Sequence, residues 1–461
     1  MPSRRIEEIP FGNIIDRFSS IAAQPGAVFL DSGTDEHELA RYDIISCSPA
    51  SILTIAENEG ALEPKLDGNI IAETNIFSAI SAMLKDSDDL HRSSLPFIGG
   101  VIGYLGYDLN QTIEKLANTS HSICSLPLAF VGRYNWALIQ DRVLHKAWLV
   151  ASCQQGFEQA QAMKDALLSS TDTDTDTDTD TDKFKLKSEL ASNFSYARYK
   201  DAVNKVKDYI LAGDCYQVNL AQCFSSQYQG DSWHAYKALR AALPSPFSGY
   251  INTGKGELLS FSPERFLQTE HNKIETRPIK GTRPRGNNKT QDKQFASDLC
   301  NSEKDKAENL MIVDLLRNDL GRSCEDGSIR VEQLFGLESY KNVHHLVSTI
   351  TGQLSPKITP IDALKNAFPG GSITGAPKIR AMEIINELEQ TGRNAYCGSM
   401  FYASDHGRLD SNITIRTVLA DGDCVYCWGG GGIVADSEPE AEYAESLNKI
   451  QLILDTLTAM N

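Results

Sequence analysis

Six consecutive Thr-Asp repeats, Thr171–Asp182, interrupt this chain of 461 residues. The tract has no apolar side chain to bury, so nothing offsets the entropy of ordering it. It reads as an exposed, disordered linker, and we assign it no function. Any core must come from the flanking stretches. We therefore divide the chain into an N-terminal region, 1–168, a linker, 169–186, and a C-terminal region, 187–461.

The formal net charge is −17, and the repeat supplies six of the aspartates. A pI near 5.0 argues against nucleic acid as a partner, because phosphate binding needs a basic face. No apolar run reaches the roughly 18 residues of a membrane span, so no membrane partner is expected. Met1 to Phe11 lacks an apolar segment of the signal-peptide kind. Ten scattered cysteines show no disulfide framework, and the expected location is the cytoplasm. Cys424 and Cys427 are three apart in a strand-like segment, so they face opposite sides and read as structural.

In the N-terminal region, 99–108 and 136–140 read as strands with close backbone approaches. This region offers no acid–base or metal cluster and reads as structural or regulatory. In the C-terminal region, Tyr199, Ala202, Val203, Val206 and Ile210 predict a helix over 195–211, with Gly213 closing it. Strands are expected at 215–223, 257–260, 347–354, 409–419 and 423–428. In the first, Gln217 and Asn219 share a face. Strands and helices mix without a βαβ rhythm, which favours an α+β sandwich over a doubly wound sheet.

Four features could carry chemistry. Arg277, Lys280, Arg283 and Arg285 crowd four cations into nine residues. Neighbouring cations oppose protonation of an amine, so Lys280 is expected to have a lowered pKa and act as a nucleophile. The cluster also suits a multiply anionic small molecule, or it is a solvated basic loop. Lys304–Leu320 reads as a helix with Met311, Ile312, Leu315 and Leu316 buried. Glu308 borders that stripe and needs a cation or metal partner, with Asp305 one turn earlier. A helix over 438–457, with a capping box between Ser437 and Glu440, aligns Glu438, Glu442, Glu445 and Lys449 on one face. That face is either solvated or functional; oxygen ligands from two helices would select magnesium. Pro369–Lys378 is a glycine-rich turn opening a helix, and Gly429–Gly432 is expected to be a second anion cradle. Neither fits a P-loop or a dinucleotide fingerprint. His344 and His345 read as structural unless other residues support a role.

Five motifs in order resemble the chorismate-utilising enzymes. They are Ser262-Pro-Glu-Arg-Phe266, Pro278-Ile-Lys-Gly-Thr282, Glu308 to Gly321, Gly371-Ser-Ile-Thr-Gly-Ala-Pro-Lys378, and the glycine run before Glu442-x-x-Glu445. The resemblance is dense over 190–461 and thinner before it, through 99–109 and 134–141. It implies a large two-sheet β sandwich flanked by helices, as in anthranilate synthase component I. Lys280 is the residue of the aminodeoxychorismate synthase branch, where anthranilate synthases usually have alanine. Gln217 stands where isochorismate and salicylate synthases carry a water-activating lysine.

The resemblance implies that chorismate and ammonia give 4-amino-4-deoxychorismate, for p-aminobenzoate and folate synthesis, through a covalent Lys280 intermediate. Glu264 would be the general acid. Mg2+ would be held by Glu308 and Glu445, helped by Asp305 and Glu442. Arg416, Tyr396, Gly430 and Lys449 match positions that hold substrate carboxylates; Thr282 and His345 match positioning residues. Ammonia would come from a separate glutamine amidotransferase subunit, since no glutaminase motif is seen here. Tryptophan is a candidate ligand of the N-terminal region. The alternatives are anthranilate synthase component I and a non-catalytic chorismate- or tryptophan-binding regulatory subunit.

Overall fold

The computed structural model describes residues 4–33, 39–58, 61–73, 75–85, 93–114, 116, 122–169, 183–341 and 343–460. The Thr-Asp tract lies outside the described residues.

Two large antiparallel sheets, with helices around them, make up the structure. The first sheet runs from Arg5–Ile9 through Lys146–Ala151, Trp136–Asp141, Tyr42–Ser46 and Val28–Asp31. It continues through Phe247–Asn252, Gly256–Ser262, Thr417–Asp421, Cys424–Ile433 and Gln217–Gln229. The second includes Ile279–Pro284, Val343–Gln353, Lys273–Thr276, Arg265–Glu270, Leu409–Asn412 and Ser399–Ser404. Gly100–Leu105, Ala129–Tyr134 and Ser51–Asn58 extend it. Both sheets draw strands from both sides of residues 170–182. The expected α+β two-sheet sandwich is present.

Strand alternation explains the layering. Val28, Ile44 and Leu258 enter the core shared with Ile102, Tyr104 and Phe130 of the second sheet. Their neighbours Phe29, Ile45 and Leu259 enter a second core, packed with Phe18, Trp233, Tyr236 and Ile453 of the covering helices. A strand with both faces buried is apolar at successive positions, as these are. Helix Tyr196–Leu211 forms as expected, with the Ser195 hydroxyl accepting from the Arg198 N–H and Gly213 at φ +84° beyond its end.

Three expected elements differ. The strand over 409–419 is two strands, separated by residues 413–416. The C-terminal helix is also two, Pro439–Asn448 and Gln451–Ala459. Its expected capping box is absent: Glu438 is the N-cap without a side-chain bond, and Ser437 instead donates to Glu442.

Arg393 joins the parts that carry the site. Its guanidinium is buried against Glu389 of helix Lys378–Glu389, with contacts of 2.6 and 2.9 Å. It also donates to the carbonyls of Ile373, at 3.1 Å, and Asn219, at 2.9 Å. Glu389 accepts from the Ala221 N–H at 2.8 Å. A strand, a helix and a glycine-rich turn thus share one ion pair. Arg393→Met would strand the Glu389 carboxylate in the interior, at a cost of about 3–5 kcal/mol. Urea unfolding should show that loss; a change below about 1 kcal/mol would contradict the pair's role.

Candidate active site

Lys280 lies in an irregularity of strand Ile279–Pro284, where the register against Val343–Gln353 shifts between Ile279 and Thr282. Such a bulge re-aims a side chain. Gly281 follows at φ +84°, and a Cβ there would meet Leu299 at 2.8 Å and Asp305 at 3.0 Å. Lys280 Nζ lies 3.0 Å from Glu308 Oε1 and donates to the Ser372 carbonyl at 3.3 Å.

The cation cluster does not act as expected. Arg277 pairs with Glu338, Arg283 with Asp305 at 2.8 Å, and Arg285 with Asp292 at 2.7 Å. Each arginine is neutralised by its own acid. Burial opposes the charge on Lys280, but Glu308 outweighs it and holds the ammonium above its ordinary pKa. The expected depressed pKa is therefore wrong for this state. Glu308 responds reciprocally: burial raises its carboxyl, yet Lys280 beside it brings the net value below the usual range.

Glu264 behaves in the opposite way. It is 5% exposed, between strands Gly256–Ser262 and Arg265–Glu270. Burial pushes its carboxyl up to about 7, against the hydrogen bond from Ser372 and the charge of Lys280. The Ser372 hydroxyl donates to Glu264 Oε1 at 2.8 Å. A near-neutral acid and a charged amine therefore touch the same serine. Sequence reading quoted the Ser372 motif but gave this residue no role. Its signal was its place beside Gly370 and Gly371 in the turn.

The second expected cradle is not a turn. Gly429–Gly432 lies inside strand Cys424–Ile433 and pairs with Asn219–Gln222. These glycines form a bare floor beneath the acids. A Cβ on Gly431 would lie 3.3 Å from Glu442 Oε2, 3.5 Å from Glu445 Oε1 and 3.7 Å from Lys449 Nζ. A Cβ on Gly432 would lie 2.0 Å from Gln217 Nε2 and 3.2 Å from Glu308 Oε1. Helices Glu303–Gly321 and Pro439–Asn448 thus bring Glu308, Glu442 and Glu445 over adjacent backbone positions. Gln217 donates to Glu308 at 3.0 Å, Lys449 pairs with Glu445 at 2.7 Å, and Ser437 donates to Glu442 at 2.6 Å. Among the described residues, no three His, Cys, Asp or Glu side chains form a ready-made metal cluster. The donor set is nevertheless all carboxylate oxygen, which suits a hard cation such as Mg2+. Asp305 is taken up by Arg283, beside Gly281.

Thr282 faces His345 across the strand pair, with Oγ1 and Nδ1 2.8 Å apart. The Tyr340 ring packs edge-on to His345 at 5.2 Å. Tyr340 is also in electrostatic reach of Arg416. Arg416 has φ +51° in the break between Leu409–Asn412 and Thr417–Asp421. Burial lowers its pKa, and it forms no ion pair among the described residues. A desolvated guanidinium without an acid is suited to an anionic ligand. Tyr396 is buried, stacked on Trp428 at 5.9 Å beneath Arg393. Gly430 pairs with Ala221 in the glycine strand.

A cavity of about 420 Å3 is bordered by Tyr42, Phe247 and Met400 together with charged Arg41, Arg265 and Asp410. All ten cysteines are free thiols. Among the described residues, no helix is long and apolar enough to cross a membrane.

Comparison with known proteins gives the family. The sequence pattern of the chorismate binding enzymes matches residues 26–455. Aminodeoxychorismate synthase component 1 of Escherichia coli K12 is 42% identical over 442 residues, covering 95% of each chain. That of Klebsiella aerogenes is 44% identical over 448 residues, again covering 95% of each. The crystal structure of anthranilate synthase component I from Streptococcus pneumoniae TIGR4 superimposes with a TM-score of 0.79. It is 30% identical, and the match covers 91% of this chain and 93% of that one. With the family pattern spanning nearly its whole length and its motifs gathered around Lys280, this chain belongs to the chorismate binding enzymes.

Proposed function

We propose that this chain is the chorismate-aminating component of a two-part synthase. It converts chorismate and ammonia to 4-amino-4-deoxychorismate, for p-aminobenzoate and folate synthesis. The observation that carries the reading is the joint placement of Lys280 and Glu264 on Ser372, one charged and one near-neutral. The 42–44% identity to two aminodeoxychorismate synthases, against 33–34% to curated anthranilate synthases, supports it over the anthranilate alternative. An intact nucleophile and general acid weigh against a purely regulatory subunit.

In this reading Arg416 receives a substrate carboxylate. Glu308, Glu445 and Glu442 would hold Mg2+, with Asp305 assisting, and the bound ion would supply positive charge for the ring carboxylate. Lys280 must lose a proton before attack, and the ion pair with Glu308 that favours its ammonium form must loosen for it to do so. The amine attacks the ring two carbons from the hydroxyl, the ring double bonds shift, and Glu264 protonates the hydroxyl as it leaves as water. Ammonia adds at the vacated carbon, the lysine departs, and the pyruvyl group is retained. Thr282 and His345 position the substrate, and Gln217 fixes Glu308. A glutamine amidotransferase subunit supplies the ammonia. The 420 Å3 cavity, where Tyr42, Phe247 and Phe401 lie among charged Arg41, Glu270 and Asp410, is the candidate pocket for tryptophan, and it draws on both regions.

Incubation with chorismate, magnesium and ammonium salt should give a product that retains pyruvyl and carries a 4-amino group, read by mass spectrometry. Anthranilate plus pyruvate would overturn the assignment. Glu264→Gln should lower kcat about 10²–10⁴-fold, the usual worth of a general acid. A fall of less than about twofold would remove that role. Because the acid must be protonated, the parent's kcat/KM should decline as pH rises through about 7. Glu308→Gln removes the partner that raises the Lys280 pKa, so the amine should become more reactive at pH 8 toward trinitrobenzenesulfonate, measured by peptide mapping. Unchanged reactivity would show that Glu308 does not hold the ammonium.

A further inference from the structure

Ser372 touches both Lys280 and Glu264, and it does so with different atoms. Its carbonyl oxygen accepts from Lys280, and its hydroxyl donates to Glu264 Oε1. The turn that carries it has little freedom. A Cβ on Gly370 would meet Ile413 at 2.7 Å, and one on Gly371 would meet Leu315 at 2.7 Å. Arg393 holds the Ile373 carbonyl, the Asn219 N–H holds that of Thr374, and the Thr374 hydroxyl closes back on Gly370. Glu264 is anchored at its own backbone, where its N–H donates to Ser262, which donates in turn to the Ile413 carbonyl.

A protonated carboxyl has one acceptor oxygen and one O–H donor. A serine hydroxyl can both donate and accept, so the 2.8 Å contact ties Oε1 to Ser372 in either protonation state of Glu264. We propose that Ser372 is a positioning residue for the amination: its hydroxyl holds the Glu264 carboxyl by Oε1, while its carbonyl keeps Lys280 in register with that acid. This rests on the function proposed above and deepens it. The two contacts are separable, because substitution can remove the hydroxyl but not the carbonyl.

The groups acting electrostatically on Glu264 are Lys280 and Lys449, with the Ile279 N–H as a backbone donor and the Cys397 thiol nearby. All remain in a Ser372 variant. Ser372→Ala removes a hydrogen bond that favours the charged carboxylate, so Glu264 should titrate higher than in the parent. The alkaline limb of the kcat profile should move to higher pH. The plateau should fall about tenfold, the worth of one lost hydrogen bond at the reacting acid, with KM nearly unchanged. Ser372→Thr should restore both plateau and limb. Equal impairment in both variants, or a Ser372→Ala profile identical to the parent's, would overturn the proposal. Titration of 13C-glutamate-labelled protein by NMR, with the Glu264 signal assigned by its loss in Glu264→Gln, reads the same contact without turnover. An upward shift in Ser372→Ala supports the contact, and an unmoved signal overturns it. Inactivity of the parent with chorismate would instead mark failure of the functional reading.

Discussion

The buried Arg393–Glu389 pair holds the glycine-rich turn in place. Neither side chain reaches water, so each charge depends on the other and on the carbonyls and N–H groups around it. Through Ile373 the pair fixes the turn of residues 371–374; through Asn219 and Ala221 it fixes the strand opposite the glycine floor. Ser372 is therefore presented from a braced turn to Lys280 on one side and Glu264 on the other. Misplacement of a reacting group by even 1 Å is costly in catalysis, which gives this remote pair functional weight.

Two neighbouring groups with opposite protonation tendencies make the site chemically legible. Glu308 stabilises charge on Lys280, while burial favours the neutral form of Glu264. Titratable groups pushed apart in this way divide acid and nucleophile roles within one cavity. The glycine strand makes the arrangement sterically possible. A side chain at Gly431 or Gly432 would occupy the space used by Glu442, Glu445, Glu308 and Gln217. Gly431 and Gly432 thus leave room for the acids, while Gly429 and Gly430 lie close against the Ser446 and Leu220 carbonyls.

Much of this was legible in the sequence because it is periodic or local. Helix 196–211 follows from its apolar spacing and its caps, and the position of Glu308 beside a buried stripe follows from helical geometry. The ordered motifs identified the residues that meet at Lys280. The electrostatics were not legible, because they depend on partners distant in sequence. Glu338 is 61 residues from Arg277, and Asp305 is 22 from Arg283. Four adjacent cations looked like mutual repulsion until folding gave each arginine its own acid. The glycine strand was missed because glycine shows no alternation from which to infer pairing. The break at Lys449 and Ile450 was missed because the apolar stripe continues through it.

The central claim is that Lys280 becomes covalently bonded to the substrate. The most direct measurement is the mass of the peptide carrying Lys280, in a reaction quenched after chorismate and magnesium are added and before any ammonia. The account predicts an adduct with the mass of chorismate less water on Lys280, discharged when ammonium is supplied. A Lys280 peptide that stays unmodified at every quench time, while the same protein forms the 4-amino product once ammonium is added, would contradict it.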